Sequence, residues 1–340
     1  MREGCTAGNR MTLRSAISET TNTIERQGFR RLLLRWFDLH KRDLPWRRDR
    51  DPYRVWLSEI MLQQTRVNAV TDYYEKFLRR FPTIKTLASA PESAVLATWS
   101  GLGYYRRARM LHAAAKTIVR EYSGELPKTA EGLRALPGIG RYTAAAIASI
   151  AFNQPVAVVD GNVERVLQRV HGRNLAGEAL WQAAAELLAQ RRPGDFNQAM
   201  MELGATVCLA QQPRCLLCPV SKLCATRGNL RVAGKGTRQT KREIHYAFAC
   251  RKDSIFLIRR SNSATLMPGM WEFPEIIGSN GTTPAWLTLR HSITVTDYRV
   301  SVVRDLPPTD LAGCWVRKSQ LPNLPLTGLA RKILRAAKVI

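Results

Sequence analysis

Leu136-Pro137-Gly138-Ile139-Gly140, followed twenty residues later by Asp160 in Val158-Val159-Asp160-Gly161-Asn162-Val163, is the stretch that decides how this chain reads. A Pro-Gly-x-Gly turn between two helical segments leaves backbone N–H groups uncovered, where a phosphate can sit against the start of the second helix. Asp160 is close enough in sequence to lie beside the same ligand. Each feature alone has an ordinary explanation: a Pro-Gly pair often only connects helices, and Asp before Gly-Asn-Val-Glu-Arg-Val-Leu is a good helix N-cap. The turn, Asp160 and a downstream group of cysteines occur in order on one basic helical segment. Together they point to a unit that grips a nucleic-acid backbone and acts on it.

Charge supports that reading. The 340 residues carry 52 Lys and Arg against 27 Asp and Glu, a net +25, which favours a polyanionic partner because each neutralised phosphate releases counterions. Nucleic acid leads, with an anionic membrane surface behind it. A hydrophobic content of 45% excludes a largely disordered chain, and the length suits two domains. No apolar run is long enough to span a membrane, and the start lacks the apolar core of a signal peptide. The expectation is a soluble cytoplasmic, nucleoid-associated protein; the Arg- and Ser-rich, acid-poor start leaves a transit peptide as the alternative.

Residues 1–24 read as a loose basic arm. From Phe29 to about Ile150 apolar residues recur at helical spacing, as in Leu32, Leu33, Trp36 and Phe37, and the first domain, 25–225, is expected to be all-α. Residues 226–241 are rich in Gly, Arg, Thr and Lys and read as a linker. In the second domain, 242–340, Ile244, Tyr246, Phe248 and Cys250 alternate, Ile293 to Val303 is rich in β-branched residues, and Gly328 to Ile340 has helical spacing, so an α+β fold is expected.

Four of the seven cysteines, Cys208, Cys215, Cys218 and Cys224, form a C-x6-C-x2-C-x5-C run, unlike a disulfide framework spread along a secreted chain. Four thiolates on one loop can hold zinc or an iron-sulfur cluster, and a single C-x2-C knuckle favours the cluster. Arg214, Lys222 and Arg227 surround the loop, which would make it a pin for a basic DNA-facing surface.

The Leu136–Gly140 turn, Asp160 and the four cysteines resemble the helix-hairpin-helix DNA glycosylases that carry a [4Fe-4S] cluster. Within them, Trp56-Leu57-Ser58-Glu59-Ile60-Met61-Leu62-Gln63-Gln64-Thr65 and Gly101-Leu102-Gly103-Tyr104-Tyr105 are similar to adenine DNA glycosylases of the MutY type. Leu266-Met267-Pro268-Gly269-Met270-Trp271-Glu272-Phe273-Pro274 is similar to that family's Nudix-like carboxyl-terminal domain. The resemblance spans about residues 29–338. It implies a double-stranded DNA partner bearing an adenine mispair, with the protein acting as a monomer.

Glu59 follows the helix-start signal Asp51-Pro52 and is flanked by Trp56, Leu57, Ile60 and Met61. Read alone it is a surface residue on an amphipathic helix. The resemblance reverses this and implies a carboxyl that loses solvation, holds a proton at neutral pH, delivers it to adenine N7 and later helps activate water. Asp160 would stabilise the sugar cation, as one of two carboxyls dividing the work in glycoside cleavage. Tyr142 and Asn162 match positions that place these groups. Bifunctional relatives carry a Schiff-base lysine where Tyr142 stands, so base removal without strand cutting is expected.

By the same resemblance, Gln64 and Tyr104 would enter the DNA helix, with Thr65 and Leu102 beside them, while Gly138 and Gly140 would face the backbone. Arg42, Trp46, Arg47, Leu62, Val67 and Glu202 would line the adenine pocket. The second domain departs from the family. It lacks the G-x5-E-x7-R-E-x2-E-E spacing of a Nudix hydrolase, which excludes that activity. Where the family reads 8-oxoguanine with a Phe-Ser-His turn after a His, this chain has His291-Ser292-Ile293-Thr294-Val295. Thr294 keeps a hydroxyl for the lesion; Ile293 and Val295 replace the aromatic and the histidine. The expected substrate is adenine opposite 8-oxoguanine or guanine. The alternatives are altered opposing-base recognition, a catalytically silent iron-sulfur DNA-binding protein, and an endonuclease III-like strand-cutting enzyme.

Overall fold

The computed structural model describes residues 25–228, 240–276, 284–293, 295–305 and 312–340. The chain divides into two compact units, one of residues 1–59 and 126–234, the other of 60–125 and 235–340. This differs from the expected division near residue 225. The reason lies in side chains of 60–125 that bond the carboxyl-terminal main chain. The hydroxyls of Ser100 and Tyr105 both donate to the Leu326 carbonyl, at 2.7 and 3.2 Å, and Arg109 donates to the Pro268 carbonyl at 2.6 Å.

In the first unit α1, residues 25–40, places Phe29, Leu33 and Phe37 one turn apart on a single face. That face packs with Val163, Val166 and Leu167 of α9 (Gly161–His171) and with Phe196, Met200 and Leu203 of α11 (Pro193–Thr206). Between them in sequence lie α2 (Pro52–Leu62), α7 (Ala130–Arg134), α8 (Arg141–Phe152) and α10 (Gly177–Leu187). Asp51 caps α2, accepting from the Arg54 N–H at 2.9 Å. The expected all-α character holds, and α7, the turn and α8 form the helical hairpin.

The second unit opens with α3 (Val67–Arg80), α4 (Ile84–Ser89), α5 (Glu92–Trp99) and α6 (Arg106–Glu121). Its helical core is aromatic: Phe77 meets Trp99 edge-on at 5.9 Å between centroids. After it come two small sheets. In one, β6 (Thr296–Val303) runs parallel to β1 (Thr240–Ala247) and antiparallel to β5 (Leu287–Ile293). In the other, β3 (Ser254–Arg259) pairs antiparallel with β2 (Cys250–Arg251), β4 (Trp271–Glu272) and β7 (Gly313–Arg317). The final helix α12 (Gly328–Ala336) buries Leu329, Ala330, Ile333 and Leu334 in the core they share.

One strand expectation needs correction. The alternation from Ile244 does not reach Cys250: β1 stops at Ala247, and Cys250 opens β2 with its side chain exposed. The β-branched run from Ile293 to Val303 is shared between the end of β5 and β6, which pair Ile293 with Thr296. Among the described residues no helix is long and apolar enough to cross a membrane.

Gly204 on α11 sits directly against Asn162. A Cβ there would lie 2.6 Å from the Asn162 Cβ and 2.9 Å from its carbonyl oxygen, so part of that contact is backbone and cannot rotate away. Gly204→Ala is expected to cost about 1–3 kcal/mol in thermal unfolding. Gly161→Ala, whose Cβ meets nothing within 4 Å, should stay within about 0.5 kcal/mol of the parent.

Candidate active site

α2 is buried almost all round: Val55, Trp56, Leu57, Ser58, Glu59, Ile60 and Met61 are all inside. Glu59, 6% exposed, is therefore no surface residue on an amphipathic helix. Burial is the main cause that lifts its carboxyl from the ordinary 4.5 to about 7, with the nearby charge of Asp160 adding to the rise. Opposing this, the Tyr142 hydroxyl donates to Glu59 Oε2 at 2.7 Å, and Arg47 contributes a weaker attraction. Tyr142, at the start of α8, is itself held well above the usual phenol range by burial and then by the two carboxyls, so it stays a donor.

Asp160 caps α9. Its Oδ1 accepts from the N–H groups of Asn162 and Val163 at 2.9 and 2.7 Å, and its Oδ2 accepts from Asn162 Nδ2 at 3.0 Å. Those bonds satisfy N–H groups that the first turn of α9 leaves without helix partners.

Among the expected pocket residues, Arg42, Arg47 and Glu202 come together. Glu202, 1% exposed, accepts from Arg42 Nε at 2.6 Å, Arg42 Nη2 at 2.9 Å and Arg47 Nη2 at 2.8 Å. Burial alone would raise its pKa, but the hydrogen bonds and charges of the two arginines outweigh burial and lower it. The first unit so holds two buried glutamates of opposite character, Glu59 beside a neutral phenol and Glu202 clamped by cations. Trp46 is buried, and Leu62 and Val67 are half-buried and belong to the second unit.

The hairpin turn buries Leu136 and Ile139 and leaves Gly138 and Gly140 exposed. Gly138 takes φ +74°, a conformation that favours glycine, and Gly140 opens α8 without any side-chain cap on its first N–H groups. In the second unit Gln64 and Tyr104 are exposed at positive φ, +55° and +49°, with Thr65 half-buried beside Gln64. Leu102 is buried. His291 lies on β5, its imidazole pushed down by burial and then by Lys332. Thr294 lies outside the described residues, as do 1–24 and 229–239 of the arm and the linker.

Cys208, Cys215, Cys218 and Cys224 are free thiols that line one cavity together with Arg169 of α9. Arg169 Nη1 donates to Cys208 Sγ at 3.3 Å and to the Leu209 carbonyl at 2.7 Å. Burial pushes the Cys218 thiol up to about 11, neighbouring thiols adding to it. Arg214, Lys222 and Arg227 are exposed on the same loop. Among the described residues no three His, Cys, Asp or Glu side chains close on one point as ligands of a single ion would.

One residue of the site was invisible in the sequence. Arg165 Nη2 donates to Asn162 Oδ1 and to the Gly204 carbonyl, both at 2.8 Å, while its Nε donates to the Cys208 carbonyl at 2.8 Å. It ties the Asp160–Asn162 cap to the start of the cysteine loop. In Val163-Glu164-Arg165-Val166-Leu167-Gln168-Arg169 it looks like any charge on an amphipathic helix, and no spacing signal sets it apart.

With this geometry in view, the comparisons place the chain. Residues 57–190 match the model of the HhH-GPD superfamily of base excision DNA repair proteins. An adenine DNA glycosylase of Schizosaccharomyces pombe is 36% identical over 74% of this chain and 70% of its own length. The chain belongs to the adenine DNA glycosylase family. The family's member in Rattus norvegicus is 42% identical over 73% of this chain, which spans 60% of the rat protein's length. A solved thermostable thymine-DNA glycosylase superposes with a TM-score of 0.58 and 32% identity, covering 61% of this chain and 99% of its own.

The raised Glu59 carboxyl sets a pH dependence of stability. A folded-state value near 7 above an ordinary 4.5 means that the folded chain binds the proton more tightly. Stability from this group is full below about pH 4.5 and is lost as pH rises to about 7, on the order of 3 kcal/mol in all. Glu59→Gln should remove that decline, measured as unfolding free energy between pH 5 and 8, and should be more stable than the parent at pH 8.

Proposed function

We propose that the protein is a monofunctional adenine DNA glycosylase that extrudes adenine from a mispair in double-stranded DNA and hydrolyses its N-glycosidic bond. The observation that carries this reading is the pairing of a buried, proton-holding Glu59 with the capped carboxylate of Asp160. Glu59 gives its proton to adenine N7 as the bond to C1′ breaks, and the electrons of that bond leave with the base. Asp160 stabilises the resulting sugar cation. A water then adds to C1′ and returns a proton to the Glu59 carboxylate. Tyr142 orients Glu59 and has no amine for a Schiff base, so the strand is not cut. Glu202, kept ionised by Arg42 and Arg47, fixes those two arginines in the adenine pocket.

The cysteine loop fits a [4Fe-4S] cluster held by Cys208, Cys215, Cys218 and Cys224. Four thiols lining one shared cavity supply the four ligands that such a cluster takes. The bound cluster would supply a structural pin for the exposed Arg214, Lys222 and Arg227. The two small sheets and α12 are read as a Nudix-like lesion-recognition domain without hydrolase activity, and the protein as a monomer on DNA. The best substrate places 8-oxoguanine opposite the adenine, the replaced Ile293 and Val295 leaving Thr294 to carry the polar contact.

Single-turnover excision on duplexes pairing adenine with 8-oxoguanine or guanine tests the assignment. Adenine release without strand cleavage is expected, faster opposite 8-oxoguanine; equal rates would sink the lesion-reading claim, and borohydride trapping would sink the monofunctional one. The excision rate should fall as pH rises through about 7, where Glu59 loses its proton. Tyr142→Phe removes a hydrogen bond that favours the carboxylate, so that limb should move to higher pH. Purified protein should contain four irons, and Cys218→Ala should lose them together with DNA affinity.

A further inference from the structure

Arg107 stands on the first turn of α6 and is half-buried. Its Nη1 donates to the carbonyls of Ile60 at 2.8 Å, Met61 at 2.9 Å and Gln63, so it serves the end of α2, where helix carbonyls lack partners of their own. Its Nη2 donates to Thr65 Oγ1 at 3.1 Å and to the Gly103 carbonyl at 3.2 Å. The guanidinium also lies over the rings of Trp99 and Tyr104, 5.4 and 5.5 Å from their centroids. One fork therefore joins two turns some forty residues apart in sequence, 60–65 and 103–104.

Both turns carry a residue in an uncommon backbone state. Gln64 at φ +55° and Tyr104 at φ +49° are non-glycine residues in the left-handed region, which persists where the surroundings over-determine it. Burial lowers Arg107 to about 10, which still leaves it charged at neutral pH. A lysine would keep the charge but lose the planar fork that reaches both segments at once.

We propose that Arg107 is a positioning residue that staples the Gln64 turn to the Tyr104 turn, holding both side chains ready before DNA arrives. The inference rests on the reading above that these two side chains fill the helix when the base is extruded. Preorganisation removes the cost of ordering the two turns at the moment of binding. It also fixes their separation, on which extrusion depends.

The test is Arg107→Lys in the full protein, with Thr65→Val as a milder variant that spares the arginine and removes one acceptor. Amide hydrogen exchange of the free protein should quicken about tenfold or more in both turns of R107K, with α8 and α9 unchanged, and less in T65V. With 2-aminopurine at the target position, extrusion fluorescence and single-turnover excision should both drop about tenfold or more, since small misplacements carry large rate costs. The pH midpoint set by Glu59 should stay. Unchanged exchange at either turn, or a general quickening that includes α8 and α9, overturns the staple; so does a moved pH midpoint. If the parent protein releases no adenine, the functional reading falls while the exchange data still decide the staple. If R107K does not fold, T65V decides: faster exchange at both turns supports it, and no change overturns it.

Discussion

The hydrogen bond from Tyr142 on α8 to Glu59 on the largely buried α2, 2.7 Å long, is the constraint on which the rest of the site depends. A buried carboxyl survives folding either by keeping its proton or by acquiring a cation. Among the described residues the direct partner of Glu59 is a phenol, whose hydrogen bond does not offset burial, and so it holds the proton into the neutral range. Glu202 shows the other solution on α11, where two arginines keep a carboxylate charged at 1% exposure. The same side chain in the same unit thus acquires two chemistries from its neighbours alone.

Around that pair the architecture is economical. α8 supplies Tyr142 and, from the same end, the open N–H groups of the hairpin, so the group that orients the acid and the segment suited to phosphate share one helix start. α9 supplies Asp160 as its cap and Arg165 and Arg169 as its links to the cysteine loop. The close approach of Gly204 to Asn162 lets α11 lie against the start of α9. Displacing any one of these contacts moves a cap whose two carboxylate oxygens are both already committed.

Much of the fold was legible. Helical spacing in 29–150, the Asp51-Pro52 start of α2, the Gly138 turn and the Asp160 cap are all local signals, and each appears where the spacing puts it. The β region was legible only in outline. The β-branched run from Ile293 to Val303 is divided between two strands, and the alternation through Cys250 continued past the true end of β1. Hydropathy gives a strand its period but not its partner, and the partner sets where it stops. The grouping of 60–125 with the carboxyl-terminal part was not legible for a related reason, since the bonds of Ser100, Tyr105 and Arg109 to that main chain leave no trace in local composition.

The sequence by itself determined the elements, the basic character, the four-thiol loop and, through short motifs, the family. Only the tertiary structure decided that Glu59 is buried beside Tyr142, that Glu202 is held by Arg42 and Arg47, and that Arg165 and Arg107 each tie distant segments together. Spacing along a chain records which residues share a helix face or a turn. Desolvation and hydrogen-bond partnership arise from residues 83 positions apart for Tyr142 and Glu59 and 160 for Arg42 and Glu202, and these are set only when the helices pack.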